Sequence, residues 1–176
     1  MTAPEPWLRG PLPGVPRELM PAAHALAQAA EDVPRAVLLP EPLPRALLWA
    51  RPGGAASVGF HLRHVAGSID RLLTYAAGAQ LAEAQRAFLG AEGAADDGSS
   101  EAGELVALAA AAVERALATV RATPVDRLHE PRAVGRQALP SSVFGLLFHV
   151  AEHTQRHVGQ IVTTAKVVRG LDGDAR

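Results

Sequence analysis

Eleven of the 14 prolines stand before residue 53, and this asymmetry constrains the chain more than any other feature. Proline lacks an amide proton and its ring clashes with the carbonyl four residues back, so crowded prolines divide a chain into short pieces and turns. The first third therefore predicts one modest helix, roughly Arg17 to Asp32, and a short helical turn at Arg45 to Ala50. Beyond that point long helices are permitted, and an apolar share of 48% with only 4% aromatics, carried mainly by alanine and leucine, favours them. Arg51-Pro52-Gly53-Gly54 is a breaker, after which Ser57 can cap a helix. Val58, Leu62, Val65, Ile69 and Leu72 then recur at helical spacing to about Ala77. Glu101 to Val120 carries Leu105, Leu108, Ala112, Ala116 and Val120 on one stripe, with acidic residues at its dipole-favoured start. Pro124, Pro131 and Pro140 bracket an irregular connection containing Arg132, Gly135 and Arg136. The last helix follows the cap candidates Ser141 and Ser142 and ends with Lys166, Arg169 and the stop residue Gly170.

Four helical segments with unequal connections predict an all-α fold, a four-helix bundle with long crossover connections. At 176 residues the chain suits a single domain, 1–176, with 1–20 as a proline-rich extension and 171–176 as a frayed tail. Gly90 to Ser100 is small, acidic and glycine-containing, which predicts a surface loop with no chemistry of its own. A core of this size needs no metal for folding, so a bound metal would be functional. With no cysteine, any metal site must be built from histidine, carboxylate, water or substrate. The net charge of -1 offers no cationic footprint for nucleic acid or an acidic membrane surface. The proline-rich start does not resemble a secretion signal and no stretch is long enough to span a bilayer, so the expected location is cytoplasmic.

The histidines carry the chemistry. His149, His153 and His157 follow one another at i, i+4 steps in the last helix, on a broad stripe with Leu146, Val150, Gln160, Ile161 and Thr164. An i, i+4 pair can hold one ion at roughly 2.0–2.1 Å per nitrogen, whereas three buried imidazoles without ion or partner would each be desolvated at a cost. Two pairings compete. His149-Val150-Ala151-Glu152-His153 matches the H-x-x-E-H string of inverted zincin peptidases, but only 23 residues follow His153, little room for a distant acidic ligand. The His153/His157 pair is therefore the preferred one. A third ligand must come from elsewhere, and His61 and His64, one turn apart in the second helix, are nearly tied on geometry: His61 nearer the centre of the apolar stripe, His64 at its edge.

Gly59-Phe60-His61-Leu62-Arg63-His64-Val65-Ala66, followed by Asp70-Arg71-Leu72-Leu73, resembles the second-helix signature of DinB/YfiT-like proteins. Leu147 to Gln160, with His149-Val150-Ala151-Glu152-His153-Thr154-Gln155-Arg156-His157 at its centre, resembles the last-helix signature of the same family. The resemblance covers about Ala22 to Gly170. It implies a four-helix bundle of the DinB/YfiT type with one divalent metal held by His64, His153 and His157. His61 and His149 then become lining residues, with packed core histidines an equally good account of them; His24 is more often merely packed, and His129 receives no role.

Three neutral nitrogens leave coordination positions open, as catalytic sites do. Zinc or nickel is the expected ion, since imidazole suits both. Glu152 and Gln160 are possible pocket residues, although a solvated or salt-bridged Glu152 is the commoner outcome, and Arg132, Arg136 and Arg156 are better explained as surface charge than as anion readers. The resemblance implies a metal-dependent enzyme acting on a small molecule, of thiol S-transferase or hydrolase type, its substrate entering near the start of the last helix and His61. The contrasting expectation is a catalytically silent metal- or ligand-binding bundle with a stress-related role. A homodimer is expected from the resemblance and from the alanine-rich third helix.

Overall fold

The computed structural model describes residues 4–93 and 101–174. Its six α-helices among the described residues are α1 (Met20–Leu38), α2 (Arg45–Leu48), α3 (Val58–Ala76), α4 (Glu83–Ala91), α5 (Ala102–Ala122) and α6 (Val143–Asp174); β1 (Pro131–Val134) and β2 (Leu139–Ser142) form one hairpin. The all-α bundle is borne out. Each of α1 and α3 packs against both α5 and α6, so α1 lies diagonally across from α3 and α5 across from α6. The chain crosses the bundle twice to achieve this, once through residues 39–57 and once through the hairpin.

The caps are those the residue types allow. The Ser57 hydroxyl accepts from the Phe60 amide at 3.1 Å, starting α3, and of the two serines before α6 it is Ser142 that accepts, from the Gly145 amide at 3.0 Å. Trp49, just past α2, lies where any Cβ at Gly59 would stand 2.9 Å from its ring, so the first turn of α3 must be bare there. The core joins Leu19, Leu26 and Val37, from and just before α1, to Leu62, Val65 and Ile69 of α3, Leu105, Ala112 and Val120 of α5, and Leu147, Val150 and Ile161 of α6.

Several boundaries differ from those read in the sequence. α1 continues through Pro34 to Leu38 because Val33 and Val37 prolong its buried stripe, while the carbonyl that Pro34 deprives belongs to exposed Ala30 and can be hydrated. α6 does not stop at Gly170 but runs to Asp174, as glycine weakens a helix by only about 1 kcal/mol and does not forbid it. On α5 the buried stripe uses Ala109 and Val113, leaving Leu108 39% exposed. Of the alanines on this helix, Ala109, Ala112 and Ala116 are buried inside the bundle, whereas Ala107, Ala111 and Ala118 are exposed. The connection expected to be irregular forms the β1–β2 hairpin, whose Arg132 donates to the Ala76 carbonyl at 2.7 Å and pairs with Glu130. That arginine is structural.

Candidate metal centre

Facing turns of α3 and α6 bring the histidines together. His64, His153 and His157 each offer a ring nitrogen, and the three lie within 4.8 Å of one another. The His64 and His153 Nε2 atoms are 3.0 Å apart, and the His157 ring stands 4.4 Å from that of His64 and 4.6 Å from that of His153, centroid to centroid. His61, 5% exposed, takes a different place: its Nδ1 is 3.0 Å from the Nδ1 of His157, so it supports that ring from the floor of the cluster.

Charge chemistry sharpens the picture. Burial, with lesser repulsion from neighbouring imidazoles, pushes His157 down to about 3 and His61 down to about 4, and lowers His153 in the same way. Imidazoles kept neutral at pH 7 have lone pairs free to ligate. Two nitrogens held about 2.0–2.1 Å from one tetrahedral ion are roughly 3.3–3.4 Å apart, close to the His64–His153 separation. The buried Nδ1 of His153 has no hydrogen-bond partner within the protein. All-imidazole donors suit zinc and nickel alike. The residues present fit a divalent transition metal.

Sequence reasoning missed a residue that is hydrogen-bonded to His64. Glu92 falls in the stretch read as a surface loop, yet it is 2% exposed, and its Oε2 accepts from His64 Nδ1 at 2.7 Å while Oε1 accepts from Arg71 at 2.5 Å. The expectation that Gly90 to Ser100 has no chemistry is thereby corrected: Gly90 and Ala91 close α4, Glu92 enters the site, and residues 94–100 lie outside those described. Burial raises the Glu92 carboxyl, but the hydrogen bonds from His64 and Arg71 outweigh it and leave the group below the ordinary carboxylate range. Locally no signal marks Glu92. The available hint was an isolated glycine, Gly67, inside the otherwise regular α3 stripe, with Arg71 one turn later on the same face.

The remaining candidates sit at the rim or elsewhere. His149 is exposed, and its Nδ1 lies 3.0 Å from Glu152, which also pairs with Arg156. The H-x-x-E-H string thus forms a surface hydrogen-bonded network with Arg156, and only its His153 joins the cluster. Gln160 is exposed on α6, as are Arg136 and His129 on their segments. His24 lines a cavity of roughly 700 Å³ against Trp7, Met20 and Gln155, a wall that includes none of the clustered histidines.

A search of curated proteins returned no match. No helix among the described residues is long and apolar enough to cross a membrane. A family model described as the DinB superfamily matches residues 18–161, which takes in every element from the start of α1 through the histidine turns of α6, and the chain belongs to that superfamily.

Proposed function

We propose that this protein is a metal-dependent enzyme acting on a small molecule, of thiol S-transferase or hydrolase type, with zinc or nickel held by His64, His153 and His157. The observation that carries the reading is the convergence of three imidazole nitrogens within 4.8 Å, from two helices, with no protein carboxylate among the three. A neutral donor set leaves the ion its full charge and an open position. When bound, the ion would supply a Lewis acid able to polarise a carbonyl or activate a thiol or water at neutral pH.

The chain's own residues supply orientation and access. Phe60 stacks on His64 at 5.4 Å with rings 15° from parallel, and His61 steadies His157. His64 and His149 keep 19% and 48% of their side chains exposed, whereas His61 is buried, so substrate approaches from the His149 rim and not past His61.

A second reading has its own support. The two carboxylates nearest the histidines, Glu152 and Glu92, are both committed to arginines, which leaves neither free as a general base and favours a silent metal- or ligand-binding bundle. The deciding experiment screens metal-loaded protein against thiol plus electrophile pairs and against esters and amides, beside His64→Ala. Turnover lost on chelation and in the variant supports the enzyme; equal rates for both proteins remove it.

A further inference from the structure

Arg71 and Glu92 do more than neutralise each other. His64, Gly67 and Arg71 recur at i, i+3, i+7 on one face of α3, and Glu92 descends onto that face from the end of α4. A Cβ on Gly67 would stand 2.2 Å from the Glu92 carboxylate, 2.7 Å from Phe88 and 2.8 Å from Arg71. The missing side chain is therefore the seat of the carboxylate.

α4 itself buries no residue fully. It is held to α3 by polar and aromatic anchors: Gln85 donates to Asp70 and Thr74 at 2.7 Å each, and Arg63 lies 5.9 Å from the Phe88 ring centroid. A helix with so little apolar burial contributes little to the core, yet its end delivers a carboxylate only 2% exposed to a histidine. An ionised acceptor on Nδ1 fixes the imidazole tautomer and ring angle and raises the basicity of Nε2.

We propose that Glu92, seated by Gly67 and clamped by Arg71, is the positioning residue of the histidine cluster: it holds the His64 proton on Nδ1 and so presents the bare Nε2 toward His153. The proposal rests on the reading of the cluster as a metal site, and α4 with its anchors becomes the arm that sets the affinity of that site.

The test titrates tag-free protein with zinc against a chromophoric chelator for wild type, Glu92→Ala, Glu92→Gln and Gly67→Ala, with circular dichroism to confirm that each is folded. Glu92→Ala should bind about 10–100-fold more weakly. Gly67→Ala, which alters no ligand, should weaken binding in the same direction, and the Gly67→Ala/Glu92→Ala pair should be no worse than Glu92→Ala alone, because both remove one contact. Glu92→Gln should fall between wild type and Glu92→Ala. Folded Glu92→Ala and Gly67→Ala proteins that bind one zinc within twofold of wild type would overturn the positioning role and leave the metal site standing. Failure of wild type to bind zinc would instead remove the metal reading. In that event nitrogen-15 shifts of His64 in zinc-free protein decide the positioning role: a proton on Nδ1 in wild type that is lost in Glu92→Ala supports it, and one tautomer common to both contradicts it.

Discussion

α6 meets α1 and α3 with two different surfaces. Toward α1 its polar side chains reach backbone partners: Gln155 donates to the Ala25 carbonyl at 2.5 Å, and Arg169 donates to the carbonyls of Val37 and Glu41, although His24 Nδ1 and Gln28 Oε1 on the α1 side have no partner. Toward α3 the pairing is incomplete: His153 faces His64 nitrogen to nitrogen and His157 faces His61 in the same way, and the buried Nδ1 of His153 is left without a partner. Two neutral imidazoles can share one proton, but four rings in one seam leave lone pairs that only a third party satisfies. Polar groups that find partners across a seam help hold a fold together, whereas imidazole lone pairs that converge on one point suit a ligand.

The largest expected effect strikes the α3 side alone. His64→Ala should weaken zinc binding by more than about 100-fold, beyond the range of a change to an outer residue such as Glu92, while the metal-free helical signal stays as in wild type. Zinc affinity within tenfold of wild type would erase the distinction between the two seams.

What the sequence made legible follows the same division. The long helices were readable because Leu62, Val65, Ile69 and their counterparts on α5 and α6 must each face a core, and burial imposes a 3.6-residue period. His153 and His157 were readable because their spacing is local. α4 left no apolar period to read since it buries nothing fully, and Glu92 gained its place through a seat at Gly67, 25 positions earlier, which pattern within one segment does not reveal. The hairpin escaped for a related reason: its strands bury no residue fully, and the prolines at 131 and 140 argued against pairing that an isolated two-strand ribbon tolerates at its edges.

The complementary substitution on the α1 side should lower stability and spare the metal. Leu26 is fully buried in α1, and Leu26→Ala should cost about 2–5 kcal/mol, seen as a Tm lower by roughly 5–20 °C. Zinc bound per folded chain should be unchanged; loss of metal here would mean that the two seams are not independent.

Chelation should produce a smaller change. A ligand present at 100 times its Kd adds about 2.7 kcal/mol to the native state, so stripped protein should keep its helical circular dichroism and melt several degrees lower. Collapse of the helical signal would make the metal part of the fold.

Acid gives the mildest test. Burial holds the folded His157 down to about 3 and the folded His61 down to about 4, against 6.5 for the free group. The unfolded chain therefore takes up protons that the native chain refuses, so metal-free stability should be level above about pH 6.5 and decline as the pH falls from there toward 4. Replacing both His61 and His157 with glutamine should flatten that decline; an unaltered profile would show that the rings titrate normally.

The metal content of protein purified without a histidine tag tests the three-histidine site most directly. Elemental analysis should find close to one divalent transition-metal ion per wild-type chain and less than half that amount in His153→Ala/His157→Ala. A double variant that keeps half or more of the wild-type metal, or a wild type that binds none when supplied with zinc or nickel, would contradict it.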